Sequence, residues 1–231
     1  IKMLYKGKGD ASDTNSYRGI AIECTLYKVM MSLVTERLMA IADHHIPVEQ
    51  FGFRKRRSTV QAIECLQRDI EEALSGPRGK MHAVFVDYTK AFDTINRSKL
   101  VEKLEKVIGA ENPIARLIKN ILADNRVQID DNITTSEQIT QSRGVLQGDP
   151  MSPHLFNIAT MDVIQATATE GVKTYIYADD TVMISREIDS LQTAINKLVE
   201  WAENNDLILN REKTVMMTFK RGGRQARGDI I

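Results

Sequence analysis

Cysteine is scarce in this chain, with only Cys24 and Cys65 among 231 residues. Two cysteines form no disulfide framework and match no zinc-binding spacing, which excludes the disulfide-stapled and zinc-finger classes. Free thiols are the default in a reducing compartment. We therefore expect an intracellular protein, located in the nucleus or the cytoplasm.

Long apolar runs are lacking as well, because no segment approaches the roughly 20 apolar residues that a membrane-spanning helix needs. The first residues, from Ile1 to Tyr5, show no signal-peptide pattern and do not begin with Met. We expect no membrane partner, and we expect the chain to be a segment of a longer protein. With 42% hydrophobic and 27% charged residues, it has the composition of a globular protein with a sizeable core.

An excess of either charge is absent from the whole chain, but not from its parts. Basic residues exceed acidic ones by 10 to 6 in residues 1–60 and by 6 to 2 in residues 211–231, which leaves 15 against 23 in the middle. Basic ends would suit a polyanion, and an acidic centre would suit cations. A random scatter of solvated charge explains these counts equally well.

Apolar residues at helical spacing predict two helices in the first 80 residues, which are otherwise basic and rich in turns. The apolar positions are Leu26, Met30, Leu33, Val34, Leu38 and Ile41 in the first helix, and Val60, Ile63, Leu66, Ile70 and Leu74 on the buried face of the second. Ser58 is placed to cap the second helix, since its hydroxyl can accept a hydrogen bond from the first turn.

Strand and helix patterns alternate after residue 80. Strands are predicted at 81–87, 126–130, 137–142, 174–178, 181–185, 207–209 and 215–219, and helices at about 97–108, from 113, from 152 and at about 191–204. This order indicates an α+β fold, in which helices pack on one face of a mostly antiparallel sheet.

Two adjacent acids, Asp179 and Asp180, lie between two β-rich arms, which indicates a hairpin with both acids at its tip. Like charges this close repel, so a divalent cation is a natural partner. Asp87 ends another apolar strand, and on its own it would be read as a helix cap or turn acid. If the strands are neighbours in one sheet, the carboxylates meet at one edge, and Mg²⁺ prefers such oxygen ligands. Because successive residues of a strand alternate in direction, we expect Asp179 to be the stronger ligand and Asp180 the more peripheral one.

Six ordered segments resemble the reverse transcriptase domain of LINE-type, non-LTR retrotransposons. They are Tyr17-Arg-Gly-Ile20, Gly52-Phe-Arg-Lys-Arg-Arg-Ser-Thr59, Phe85-Val-Asp-Tyr-Thr-Lys-Ala-Phe-Asp93, Gly144-Val-Leu-Gln-Gly-Asp-Pro-Met-Ser-Pro-His-Leu-Phe156, Tyr177-Ala-Asp-Asp180 and Leu209-Asn-Arg-Glu-Lys-Thr214. Any one of them could arise by chance, whereas the ordered set is very specific.

The resemblance implies an RNA-directed DNA polymerase with a right-hand fingers–palm fold. It would add dNTPs to the 3′-OH of a DNA primer on an RNA template during retrotransposition, and in a eukaryotic element it would act in the nucleus. Residues 1–80 would be the fingers, 81–221 the palm with 110–143 inserted towards the fingers, and 222–231 a flexible basic tail. No segment after Phe219 resembles the thumb that would follow.

The resemblance also implies a metal site. Asp87, Asp179 and Asp180 would hold two Mg²⁺ ions, with Mn²⁺ able to substitute, and the backbone carbonyl of Tyr88 would be an extra ligand. Such an ion pair serves in-line phosphoryl transfer by stabilising the attacking and leaving oxygens. Lys213 would be a candidate proton donor to the leaving pyrophosphate; a solvated lysine is the alternative.

The remaining site residues are implied to contact the nucleotide. Phe92 would be the steric gate that excludes a 2′-OH, with a core phenylalanine as the alternative. Gln147 and Gly148 would contact the incoming nucleotide. Arg18 and Arg54 would bind the triphosphate, because a guanidinium fork matches phosphate oxygens.

The chain departs mildly from the family pattern, with Gly19 where proline is frequent, Arg56 where a small residue is frequent and Met151 where leucine is usual. Two alternatives stay open. The segment could be a non-catalytic, domesticated RNA-binding remnant, although its three acids are intact. It could instead belong with group II intron maturases or bacterial reverse transcriptases, which share the same core. The sequence gives no indication of the oligomeric state.

Overall fold

The computed structural model describes residues 1–131 and 133–221, so the predicted basic tail at 222–231 lies outside the described residues. The strands are β1 Lys2–Tyr5, β2 Tyr17–Ile20, β3 Lys80–Val86, β4 Arg126–Val127, β5 Ile139–Thr140, β6 Val172–Tyr177, β7 Asp180–Ser185 and β8 Val215–Lys220. The helices are α1 Thr25–Ala42, α2 Thr59–Leu74, α3 Ala91–Thr94, α4 Arg97–Ile108, α5 Pro113–Ala123, α6 Ser152–Ala159, α7 Val163–Ala166 and α8 Ile188–Asn204.

A four-stranded antiparallel sheet forms the centre of the molecule, in the order β6-β7-β3-β8. The predicted α+β fold with an antiparallel sheet is confirmed. Two further two-stranded pairs, β1-β2 and β4-β5, lie outside it. The sequence did not predict the β1-β2 pair. Its strands are short and separated by a turn-rich loop, so the alternation of apolar residues is too brief to read.

Both faces of the central sheet are covered: helices after residue 80 pack on one face, as expected for the palm, and α2 from the first 80 residues covers the other. Val84 and Val86 belong to the main core with residues of α4, α6 and α8. The alternate residue, Ala83, packs in a second cluster with Ala73 of α2. Because neighbouring residues of a strand point to opposite faces, the unbroken apolar run of β3 needs cover on both sides.

The buried face of α1 matches the predicted apolar positions only in part: Leu38 was among them, but the buried Met31 was not. Met31 and Leu38 are fully buried, whereas Leu33 is 57% exposed and Leu26 is 80% exposed. On α2, Val60 and Ile63 are likewise exposed although they were assigned to the buried face, while Leu66, Ile70 and Leu74 are partly buried. Apolar spacing found the helices correctly, but tertiary packing chose the face.

Local capping chemistry explains several element bounds. Ser58 and Gln61 form a capping box at the start of α2, with hydrogen bonds of 3.3 and 3.1 Å. Asn112 caps α5, which begins at Pro113, and α4 occupies the predicted 97–108 range. The predicted strands at 126–130 and 137–142 shrink to two residues each, and 207–209 contributes only a bridge between Leu209 and Tyr88. Among the described residues, no helix is both long and apolar enough to cross a bilayer.

Candidate active site

A two-residue turn carries the acid pair. Tyr177 pairs with Asp180 across the β6-β7 hairpin, so Ala178 and Asp179 form the turn. Ala178 has a φ of 59°, in the left-handed region that a non-glycine residue seldom adopts. Asp179 therefore lies at the tip, as expected, whereas Asp180, which was also expected at the tip, is the first residue of β7. The two carboxylates belong to different parts of the hairpin.

The third acid, Asp87, comes to the same edge of the sheet. Val86 is the register partner of Thr181 on the neighbouring strand β7, so Asp87 follows alongside Asp180. The pKa of Asp180 is raised, first by partial burial and then by the negative charges of Asp179 and Asp87. The strand register and these charge effects bring the three acids near one edge of the sheet, while their role as metal ligands stays a prediction.

The segment after Leu209 holds Asp87 in place. The Asp87 carbonyl accepts a 2.8 Å hydrogen bond from the Asn210 N–H, and the Asp87 N–H donates to Thr214 Oγ1 at 3.3 Å. Lys213 Nζ lies 3.4 Å from Asp87 Oδ2 as an ion pair. That oxygen is buried and takes part in no hydrogen bond, so one carboxylate oxygen keeps its lone pairs available. Within residues 1–131 and 133–221, no three His, Cys, Asp or Glu side chains are grouped as a ready metal site.

Tyr88 anchors the chain directly after Asp87. Its ring is buried, and burial raises the pKa of its hydroxyl. The residue also forms an antiparallel bridge with Leu209. Buried packing on one side and backbone pairing on the other therefore fix the chain beside the three acids.

Phe92 is held in an aromatic stack. Its ring lies parallel to that of Phe156 of α6, with centroids 4.5 Å apart and planes 12° apart. Phe53 meets it edge-on at 6.3 Å. The ring is only partly buried, so it is fixed in orientation while part of it stays accessible. Such a ring can act as a rigid wall towards a substrate.

The loop between Gly144 and Asp149 packs against the segment after β2. The Gln147 carbonyl accepts a 2.7 Å hydrogen bond from the Ala21 N–H, and Gln147 Nε2 donates to Asp93 Oδ1 at 3.3 Å. Gly148 has a φ of 110°, and a Cβ there would lie 2.8 Å from the Ala21 carbonyl oxygen. Only glycine fits this conformation and this close approach.

The two arginines assigned to the triphosphate differ sharply in environment. Arg18 lies exposed on β2, and its side chain makes no hydrogen bond or ion pair within the described part of the chain. The Arg54 side chain is only 7% exposed, with Nε and Nη2 on the Asp43 carboxylate at 2.9 and 3.0 Å and Nη1 on the Pro47 carbonyl at 2.7 Å. The structure argues against the predicted triphosphate contact by Arg54, because internal partners already use its donors.

Two features of the site escaped sequence reasoning. Glu23 has both carboxylate oxygens buried without a hydrogen-bond partner, and burial together with the charge of Asp149 raises its pKa to about 7. Gln50 contacts the backbone of Ala178 through its side-chain amide. Neither residue carries a local signal, since both depend on contacts between distant segments. Gly52, two residues after Gln50, did offer a hint, because an isolated glycine often marks a close backbone approach.

The antiparallel sheet with its covering helices has the fingers–palm fold of right-hand polymerases. Solved telomerase structures share this fold. Apo telomerase from Candida tropicalis superimposes with a TM-score of 0.62 at 16% identity, covering 87% of this chain and 41% of that one. Telomerase from the same organism in complex with a fragment of telomeric RNA gives 0.63 at 16% identity, covering 84% and 34%.

The chain belongs to the reverse transcriptase (RNA-dependent DNA polymerase) family, whose sequence model matches residues 6–227. It is 28% identical over 95% of its length to the RNA-directed DNA polymerase from mobile element jockey of Drosophila melanogaster, of which it covers 25%. It is 25% identical over 93% of its length to the Pol polyprotein from the R2 element of Popillia japonica, of which it covers 31%. The predicted resemblance to non-LTR retrotransposons is confirmed, and the chain spans about a quarter to a third of these relatives.

Proposed function

We propose that the chain is the catalytic core of an RNA-directed DNA polymerase that extends a DNA primer on an RNA template during retrotransposition. The observation that carries this proposal is the proximity of Asp87, Asp179 and Asp180 at one sheet edge, where partial burial and then the two neighbouring carboxylates raise the pKa of Asp180. The relatives support it, because those of jockey type are named as RNA-directed DNA polymerases of mobile elements.

A pair of divalent cations would suit the chemistry of the acidic edge. Asp87 contributes a buried carboxylate oxygen with no hydrogen bond, and Asp180 lies among like charges that a cation would neutralise. Asp87 and Asp179 would be the main ligands, with Asp180 at the flank and the Tyr88 carbonyl nearby. Two Mg²⁺ ions, or Mn²⁺, would supply Lewis-acid stabilisation of the attacking and leaving oxygens. The protein's own residues would hold the carboxylate oxygens that bind the cations in one place.

The nucleotide would lie between the acids and the loop at Gln147 and Gly148. Phe92 would stand against the sugar, where a fixed ring leaves no room for a 2′-OH. Arg18 would reach the triphosphate from β2, since it is exposed and has no internal partner among the described residues. Lys213 would serve as the proton source for the leaving pyrophosphate, as its ammonium already lies at Asp87.

We assign residues 1–80 to the fingers and 81–221 to the palm, with 110–143 inserted towards the fingers. The packing of α2 against the central sheet means that this boundary lies within one continuous body rather than at a hinge. Template RNA, primer and dNTPs would be the partners. Action on chromosomal DNA would place the reaction in the nucleus.

Primer extension tests the proposal. The assay uses an RNA template, an annealed DNA primer, dNTPs and Mg²⁺, with the 231-residue chain and any longer protein that contains it. We expect incorporation that Asp179→Asn reduces by at least about 10³-fold, since one ligand of the reaction centre loses its charge. Asp189→Asn, at an exposed acid on α8, is the matched control.

Two results would contradict the proposed function. If the folded protein extends no primer, or if Asp179→Asn leaves incorporation unchanged, the proposed function is wrong. Metal-independent RNA binding without incorporation, measured by filter binding, would instead favour a non-catalytic RNA-binding module.

A further inference from the structure

One buried side chain, Gln50, bonds the turn that carries the acids. It lies between α1 and α2 and is 3% exposed. Its Oε1 accepts hydrogen bonds from the Ala178 N–H at 3.1 Å and from the Gly52 N–H at 2.8 Å. Its Nε2 donates to the Ala178 carbonyl at 3.3 Å. A single amide thus binds both backbone groups of the residue immediately before Asp179.

The backbone on either side strengthens this contact. The Phe51 N–H donates to the Ile176 carbonyl at 2.8 Å, and the Ile176 N–H donates to the Glu49 carbonyl at 2.9 Å. These bonds form a parallel bridge between Gln50 and Ile176, at the free edge of β6. The segment 49–52 therefore acts as a short extra strand beside the acidic hairpin.

Gly52 permits the close approach and Asn157 fixes it. A Cβ on Gly52 would lie 2.3 Å from the Ala178 nitrogen, so no larger residue fits without displacing the turn. The Gly52 carbonyl accepts a 2.9 Å hydrogen bond from Asn157 Nδ2 of α6, and that side chain is buried. Gly52 and Asn157 therefore hold this segment tightly against the hairpin turn.

The turn needs such support. Ala178 adopts a φ of 59°, and an alanine in the left-handed region persists only where its surroundings hold it. Gln50 supplies that hold through the N–H and the carbonyl of the strained residue itself. The direction of the next residue, Asp179, depends on this backbone conformation.

We propose that Gln50 is a positioning residue, which sets the orientation of Asp179 by holding Ala178 in its left-handed conformation. The proposal rests on the proposed polymerase function for its kinetic consequence, but not for its structural one. Reactive groups must be held to within a fraction of an ångström, and a displacement of about 1 Å can cost about 100-fold in rate. A loosened turn should therefore lower kcat more than it weakens dNTP binding.

Primer-extension kinetics give the first test. Gln50→Met keeps the side-chain volume and removes all three hydrogen bonds, and Gln50→Ala is a second variant. We expect kcat to fall by about 10- to 100-fold, with KM for dNTP changing by less than about 3-fold. Gln67→Ala, which removes an exposed glutamine bonded only to Glu71, is the control and should keep wild-type values.

Rescue separates positioning from mere structural support. Glycine adopts a positive φ without the steric cost of alanine, so Ala178→Gly should make the turn depend less on Gln50. We expect the double variant Gln50→Met/Ala178→Gly to regain at least about 3-fold in kcat over Gln50→Met. A lower melting temperature, with kcat and KM changed in proportion and no rescue by Ala178→Gly, would overturn the proposal.

Amide hydrogen exchange tests the contact without any enzyme activity. In the wild-type chain the Ala178 N–H should be protected, and Gln50→Met should reduce this protection by at least about 10-fold while Gln67→Ala leaves it unchanged. If the wild type extends no primer, the polymerase function fails while the exchange result still decides the role of Gln50. Unchanged Ala178 protection in Gln50→Met overturns the proposal in either case.

Discussion

At the scale of single residues, the electrostatics of crowded carboxylates dominate this protein. Asp179 and Asp87 raise the pKa of Asp180, after the larger effect of its partial burial. The Lys213 ammonium, 3.4 Å from Asp87 Oδ2, offsets part of the repulsion among the three carboxylates. Because Lys213 is mostly exposed, this ion pair contributes little stability: water screens the ammonium, and both side chains lose freedom. The ion pair matters because it holds the Lys213 ammonium beside Asp87.

Removing the ring at position 92 should change sugar selection. We expect Phe92→Val to raise incorporation of ribonucleotides relative to deoxyribonucleotides by about 10- to 100-fold, since the wall against the 2′-OH is lost. Competition between rNTPs and dNTPs in primer extension measures this ratio. Phe92→Tyr keeps the ring and should keep the ratio. An unchanged ratio in Phe92→Val would leave Phe92 as a core residue stacked on Phe156.

Glu23 should make stability depend on pH. Its pKa is raised from 4.5 to about 7, so between these values the folded state binds more protons than the unfolded state. Stability therefore falls as pH rises through this window. We expect Glu23→Gln to remove this loss and to raise the free energy of unfolding at pH 8 by on the order of 1 kcal/mol, after allowance for solvent screening.

Denaturant unfolding at pH 5 and pH 8 measures the effect of Glu23. Glu36→Gln, at an exposed acid of α1, is the control and should leave the pH dependence as in the wild type. A wild type whose stability is equal at the two pH values, or a Glu23→Gln variant that keeps the full pH dependence, would contradict the assignment.

Substitution of Arg54 should lower stability, whereas substitution of Arg18 should weaken dNTP binding. Arg54→Met should lower the free energy of unfolding by about 2–4 kcal/mol, because Asp43 and the Pro47 carbonyl lose their buried partner. Arg18→Ala should change stability by less than about 0.5 kcal/mol but raise KM for dNTP. Chemical denaturation and steady-state kinetics on both variants distinguish the roles. The reverse pattern, in which Arg54→Met keeps its stability but raises KM for dNTP, would support triphosphate binding by Arg54.

At the scale of secondary structure, α1 shows that apolar spacing does not by itself identify a buried face. Its exposed stripe, with Leu26 and Leu33, is as apolar as the side that packs on the core. Both sides satisfy the helical period, so periodicity has no means of choosing between them. The choice depends on α4 and α6, which α1 contacts from more than 50 residues away.

Truncation on the two sides of α1 tests this assignment. Met31→Ala should cost about 2–5 kcal/mol, because a fully buried side chain leaves a cavity. Leu33→Ala should cost less than about 0.5 kcal/mol, since Leu33 is mostly exposed. Denaturant unfolding of both variants provides the comparison. Equal losses would place the buried face where the apolar spacing predicted it.

At the scale of the whole molecule, the central sheet gathers residues that are far apart in sequence. β3 lies between β7 and β8, so Asp87 has the acidic hairpin on one side and the Asn210–Thr214 segment on the other. The segment 49–52 then extends the sheet beyond β6. The site is therefore a product of strand order, and loss of the order would scatter it.

Divalent cations should stabilise the folded chain as a whole. Binding to the native acids alone shifts the unfolding equilibrium by mass action, so Mg²⁺ should raise the melting temperature by a few degrees at constant ionic strength. Asp87→Asn should reduce this shift, and Asp189→Asn should not. Thermal unfolding with and without Mg²⁺ measures it. An equal shift in the wild type and Asp87→Asn would place the bound ion elsewhere.

Much of the fold and of the candidate site could be predicted from the sequence alone. The hairpin at Asp179, the strand before Asp87, the α4 bounds, the start of α5 and the antiparallel α+β fold all follow from local signals: apolar periodicity, capping residues and turn chemistry. Family resemblance added the identity of the chain, because six ordered motifs are legible without any structure. The metal, gate and nucleotide roles remain predictions that the arrangement supports.

Only the tertiary structure decided the rest. It moved Arg54 into a buried bond with Asp43, chose the packed side of α1, covered the second face of the sheet with α2 and placed Gln50 on Ala178. Each of these depends on contacts between segments that no local pattern links. Sequence periodicity reports what a segment can bury, whereas strand order and close packing determine which partner it meets, and that partner fixes the direction of the acids.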